Sequence, residues 1–198
     1  MTVETLVGRP ALLVIDMQAD FVSSCREGQA IVTPINALIA AFRARRLPSI
    51  FTRELHRPSG LDGGLERDPR YTVPSHTVIG TQGAEIVAPL ALWPDDLIID
   101  KRRYNCFLGT ELGLLLHTLQ IETLVLTGMD SDVCVHWTAG EAFQYDYHVR
   151  VPEDCVASPR PDGHVASLRL LRQLVSRGQA LTSQDILAAL AEIPLVNG

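Results

Sequence analysis

The feature that most constrains this chain is an alternation. Short apolar runs, largely β-branched, recur between longer stretches with helical spacing. The runs are Ala11-Leu-Leu-Val-Ile-Asp16, Ser49-Ile-Phe-Thr-Arg53, Leu97-Ile-Ile-Asp100, Thr123-Leu-Val-Leu-Thr127 and His148-Val-Arg-Val-Pro152. Helical patterns fall at about residues 30–44, 109–119, 133–145 and 163–176, with a shorter one at 183–192. Runs that stay apolar without alternating suit strands covered on both faces, and each crossover is long enough for a right-handed βαβ unit. The expected class is α/β, a three-layer αβα sandwich with a mostly parallel, doubly wound, Rossmann-like sheet. No internal repeat, linker or low-complexity tract interrupts residues 1–198, so one domain is expected. The stretch at about 54–82, rich in Gly, Pro, Arg and Asp, is too long for an ordinary connection and reads as a lid or a subunit contact.

Composition removes several function classes. With 198 residues, 46% of them hydrophobic, the chain can bury a sizeable core without disulfide or zinc staples. Seventeen basic against 23 acidic side chains give a net charge of -6, which argues against a nucleic-acid partner. Arg43, Arg45 and Arg46 form a dense basic group and read as a solvated helix end. The N-terminus lacks a basic n-region and the first apolar run stops at Asp16, so neither a signal peptide nor a membrane span is expected. Cys25, Cys106, Cys134 and Cys155 show no metal-ligand spacing, which predicts reduced thiols in a cytoplasm.

In open α/β sheets the ligand site lies beyond the carboxyl ends of the strands. Here those ends carry Asp16, then Arg53 and Glu54, then Asp100 and Lys101, then the turn Gly128-Met-Asp-Ser-Asp-Val before Cys134, and finally Glu153 and Asp154. Cys134 is expected to open a helix, whose N-terminus favours a thiolate. Asp16 can take the thiol proton, Lys101 can hold the thiolate and the substrate, and backbone N–H groups of the turn can bind an oxyanion. Taken singly, each has an ordinary explanation: a buried core thiol, a turn residue, a solvated lysine. Their shared sheet edge is what raises the catalytic reading.

Three segments carry a family resemblance. Val14-Ile-Asp-Met-Gln-Ala-Asp-Phe21, Asp100-Lys-Arg-Arg-Tyr-Asn-Cys-Phe-Leu-Gly-Thr110 and Thr127-Gly-Met-Asp-Ser-Asp-Val-Cys-Val135 resemble, in order, the aspartate-, lysine- and cysteine-bearing segments of the isochorismatase-like cysteine hydrolase superfamily. The resemblance implies Asp16, Lys101 and Cys134 as the catalytic triad, with the backbone of Asp130 and Cys134 as oxyanion hole. It also implies a cis peptide at Met129–Asp130 and a homo-oligomer, dimer or tetramer. Members that cleave the vinyl ether of isochorismate lack the cysteine, so the chain resembles the amidohydrolases, which cleave a small ureide, carbamoyl compound or carboxamide through a thioester.

The chain departs from the family pattern at Met129 and Asp130, where small or β-branched residues are usual. A carboxylate at Asp130 would favour substrates that offer N–H donors. Nicotinamidases of this family hold a divalent metal. The corresponding residues here, Glu54, His56 and His76, are chemically suited to zinc, iron or manganese. Yet Glu54 is a methylene too long, and the segment from His56 to Gly60 resembles metal-free ureide amidases, so no cofactor is expected. Phe21, Arg53 and Tyr104 are further substrate-binding candidates, with Arg57 and Trp137 behind them, whereas His117, His136 and His148 read as structural.

Other classes fit less well. A receiver domain would place its lysine after the fifth run, and a redox protein would need a resolving cysteine near Cys134. A metal-dependent nicotinamidase-like amidase and a catalytically silent oligomeric scaffold of the same fold remain the alternatives.

Overall fold

A computed structural model describes residues 5–67, 76–176 and 178–194. Six parallel strands form one sheet: β1 (Pro10–Ile15), β2 (Ser49–Glu54), β3 (Leu97–Lys101), β4 (Thr123–Met129), β5 (His148–Arg150) and the two-residue β6 (Val156–Ala157). Their spatial order is β3-β2-β1-β4-β5, with β6 extending the pairing of β4. The helices are α1 (Ala19–Ser24), α2 (Val32–Ala44), α3 (Leu112–Thr118), α4 (Cys134–Gln144), α5 (Pro161–Leu174) and α6 (Ser183–Ala191).

The sheet has a core on each face, which is why its strands do not alternate in sequence. Leu12 and Val14 of β1 pack with Ile35, Leu38, Ile39 and Phe42 of α2 and Ile186 and Leu190 of α6. Ala11, Leu13 and Ile15 of the same strand pack instead with Leu112 and Leu116 of α3, Val135, Ala139 and Ala142 of α4 and Leu171 of α5. Each large aliphatic side chain so buried contributes about 1.5–3 kcal/mol. The predicted three-layer, doubly wound α/β sandwich is therefore the fold, and among the described residues no helix is long and apolar enough to cross a membrane.

The differences from expectation lie at the ends. Helix α1, with Val22 its one buried residue, and the two-residue β6 are too short to leave a periodic signal. Helix α5 starts at Pro161, two residues before the predicted start, because proline in the first turn presets the backbone and forfeits no needed N–H. Helix α3 starts late because Gly109 turns the chain at φ +70°.

The chain reverses its direction of winding at β1, which lies between β2 and β4, and this places the crevice of a doubly wound sheet at the ends of these central strands. Close approach there demands Gly128: at φ +106°, a Cβ on it would lie 2.0 Å from the carbonyl oxygen of Ile15. The described parts of the 54–82 segment are anchored to this edge. His56 bridges to Val78, and Thr77 donates its N–H to Asp20 Oδ2 at 2.7 Å. The buried Gln18 amide donates to the carbonyls of Glu54 (3.0 Å) and Ala84 (2.8 Å) and accepts the Glu54 N–H (2.8 Å). Residues 68–75 of the segment lie outside the described residues.

Candidate active site

Four strand ends converge on one buried ammonium. Asp16, just past β1, takes φ +49°, and its backbone N–H reaches Thr52 Oγ1 on β2 at 3.2 Å. Glu54 and Lys101 end β2 and β3 as register partners, so their side chains emerge on the same face. Beyond β4, the turn through residue 130 delivers Cys134 as the first residue of α4. Lys101 Nζ lies 2.7 Å from Asp16 Oδ2, donates to Glu54 Oε2 at 3.0 Å and to the Arg103 carbonyl at 2.9 Å, and stands 3.6 Å from Cys134 Sγ. Oxygens of Asp16 and Glu54 and the Cys134 sulfur all lie within 4.8 Å of one another.

Burial makes these contacts strong and sets the protonation pattern, since a low effective dielectric magnifies both attraction and the cost of an unpaired charge. Burial pushes the Cys134 thiol well above its ordinary value; Lys101 opposes this, while the Asp16 and Glu54 charges reinforce it. The Asp16 carboxyl is likewise raised by burial, against the pull of Lys101. For Glu54, burial is outweighed by Lys101 and by hydrogen bonds from His56 and Lys101, which hold it well below the usual carboxylate range. Lys101, despite burial, is held charged by Asp16, Cys134 and Glu54. Cys134 therefore rests as a thiol beside a carboxylate whose proton affinity is enhanced, a couple chemically capable of exchanging a proton.

The turn before Cys134 is braced from outside. Its Met129–Asp130 peptide is cis. The Asp130 carbonyl accepts the N–H groups of Val133 (3.0 Å) and Val135 (3.1 Å), and Ser131 donates its N–H to Ala157 at 2.9 Å. Arg160, ahead of α5, donates to Asp130 Oδ2 at 2.8 Å and to both Asp132 oxygens at 2.8 and 2.9 Å. Ser131 Oγ pairs with His164 Nδ1 at 2.7 Å, and Ser167 Oγ donates to the Ser131 carbonyl at 2.7 Å while contacting His136 Nδ1. Sequence reading missed Arg160, His164 and Ser167, because the bracing loop and helix meet the turn only through folding.

The other predicted residues divide. Phe21 lies half-buried with its ring 5.1 Å from that of His76. Tyr104 follows β3 and is partly exposed, and Trp137 is exposed on α4. Arg53 corrects an expectation: it is bound through two nitrogens to Asp100, its register partner, on the face of the sheet opposite Glu54 and Lys101. Cys106 sits near the site, its Sγ 3.9 Å from Thr52 Oγ1 and its thiol pushed up to about 11 by burial. All four cysteines are free.

Several of the donor atoms considered for a metal are already engaged. Glu54 Oε2 holds Lys101 and Oε1 contacts His56 Nε2 at 3.2 Å, while His76 Nδ1 contacts Thr77 Oγ1 at 3.1 Å. The cluster of Asp16, Glu54 and Cys134 has an ammonium against all three members, which places a positive charge where a cation would have to sit.

Comparison with known proteins agrees with the geometry. The chain is 33% identical over 167 residues to a probable inactive nicotinamidase of Arabidopsis thaliana, covering 80% of this chain and 85% of that one. It is 27% identical over 176 residues to a ureidoacrylate amidohydrolase of Yersinia enterocolitica, covering 77% and 76%. The crystal structure of an isochorismatase-like hydrolase from Alkaliphilus metalliredigens superposes with a TM-score of 0.81 at 30% identity, covering 92% of this chain and 99% of that one. The family model of the isochorismatase domain matches residues 10–185. With its doubly wound sheet and its acid, lysine and cysteine at adjoining strand ends, the chain belongs to the isochorismatase family.

Proposed function

We propose that the protein is a cysteine amidohydrolase that cleaves the C–N amide bond of a small ureide, carbamoyl compound or carboxamide. The observation that carries this reading is the contact of one buried ammonium, Lys101, with both Asp16 and Cys134. Asp16 accepts the Cys134 proton as sulfur attacks the carbonyl carbon, and Lys101 stabilises the thiolate. The oxygen's developing charge falls to the N–H groups of Asp130 and Cys134, neither of which donates to another protein group among the described residues. Asp16 then delivers the proton to the departing nitrogen, releasing ammonia or an amine and leaving a thioester. Water adds to the thioester with Asp16 as base, and the acid product leaves with Cys134 protonated again. Likeness to a ureidoacrylate amidohydrolase supports a ureide among the substrates.

The test is ammonia release from nicotinamide, biuret, N-carbamoyl amino acids, maleamate and ureidoacrylate, with Cys134→Ala as control. Turnover that survives in the variant rules out the thioester route. We further propose that no resident metal takes part, since Lys101 holds the carboxylates a metal would need. Rates unchanged after chelation are expected, and rates that collapse and return with zinc or manganese would favour a nicotinamidase-like metalloamidase. The Arabidopsis relative named as probably inactive gives weight to a silent scaffold of the same fold, and a folded protein that releases no ammonia across the panel would establish that reading.

A further inference from the structure

Asp130 carries an enclosed carboxylate oxygen for which the described residues supply no donor. Its side chain is 10% exposed. Oδ2 accepts from Arg160 at 2.8 Å, whereas Oδ1 has no hydrogen-bond partner among the described residues. Enclosing such an oxygen without a donor costs about 1–3 kcal/mol, and native folds seldom leave one so without a use for it. Arg160 arrives from the solvent side with half its side chain exposed and is fixed there by Asp132, so Oδ1 is the oxygen left on the enclosed side. The residue rides on the turn that positions Cys134: its carbonyl accepts the N–H groups of Val133 and Val135 on either side of the cysteine.

We propose that Asp130 determines specificity: its Oδ1 accepts an N–H that the substrate presents on the non-leaving side of the scissile carbonyl. The site then selects ureides and other carbamoyl amines, R–NH–CO–NH2, over carboxamides and carbamates, which have no N–H at that position. This deepens the amidohydrolase reading and rests on it.

The decisive pair is N-carbamoylglycine and carbamoyloxyacetate, which differ only in N–H against O. Wild type is expected to favour the ureide. Asp130→Asn keeps the shape, and with Arg160 holding its amide oxygen it offers an NH2 where the substrate also donates. The ratio of kcat/KM for ureide over carbamate should fall at least about tenfold, the scale of one hydrogen bond to a charged group. Asp130→Ser removes the acceptor without adding a donor and should shift the ratio in the same direction if the Asn variant fails to fold. An unchanged ratio, or a wild type without preference, overturns the proposal. A wild type that hydrolyses carboxamides but neither member of the pair also overturns it and leaves the amidohydrolase reading intact. If no amide is hydrolysed, that reading fails, and calorimetric binding of N-carbamoylglycine to Cys134→Ala, with and without Asp130→Asn, still reads the contact. Weaker binding in the double variant supports it, and equal binding overturns it.

Discussion

Thr52 and Asp16 exchange hydrogen bonds in both directions: the threonine hydroxyl donates to Asp16 Oδ1 at 2.7 Å and accepts the Asp16 N–H at 3.2 Å. One buried hydroxyl therefore fixes both the backbone and the carboxylate of the residue assigned as base. Thr52→Val keeps the volume and removes both bonds, so stability should fall by about 1–3 kcal/mol in urea unfolding. Because the hydroxyl lowers the Asp16 pKa, its removal should move the acid limb of the kcat/KM profile to higher pH. An acid limb that stays in place would separate Thr52 from the base.

Lys101→Met leaves two buried carboxylates facing each other without their shared cation. A loss of at least about a hundredfold in kcat/KM is expected, together with destabilisation of about 3–5 kcal/mol, the scale for breaking a buried ion pair. Glu54→Gln in the same background removes one stranded charge, so it should restore part of the stability and none of the turnover. A single variant that melts with wild type would show that the cluster holds no such strain.

The Asp130 carboxyl, pushed up to about 6 by burial against the pull of Arg160, ties stability to pH. Its folded value lies above the ordinary 3.8, so the folded protein binds this proton more tightly than the unfolded chain does. That contribution is fully present below pH 3.8 and is lost as pH rises through about 6. Measured against Asp130→Asn, wild type should lose up to about 3 kcal/mol of relative stability between pH 4 and pH 7.5. A difference that does not vary with pH would contradict the burial of this group.

Two glycine substitutions should differ in sign. Gly128→Ala drives a methyl into the Ile15 carbonyl at a backbone angle that L residues rarely take, and a loss above about 4 kcal/mol, or failure to accumulate folded protein, is expected. Gly140→Ala, on α4 with nothing within 4 Å of the added carbon, should stabilise by up to about 1 kcal/mol. Thermal melts of the two decide it, and a neutral Gly128→Ala would disprove the close approach of β1 and β4.

What was legible in the sequence depended on whether a residue's place follows from a strand end. Asp16, Lys101 and Cys134 could be brought together because each follows an apolar run, and a parallel sheet aligns such ends. Glu54 was visible by the same rule, and its register with Lys101 makes it the ammonium's partner. Arg53 could have been set aside from sequence, since neighbours on a strand face opposite ways and Glu54 faces the site. Arg160 left no such signal: it lies on a loop, and only the packing of α5 against the cysteine turn carries it to Asp130 and Asp132.

The Gln18 amide has a consequence for how this site can diversify. By tying the end of β2 to residue 84 through backbone atoms alone, it pins both roots of the intervening segment whatever side chains lie between them. Exposed side chains on its described parts, such as Leu61 and Leu65, can therefore change without moving the end of β2, where Glu54 pairs with Lys101.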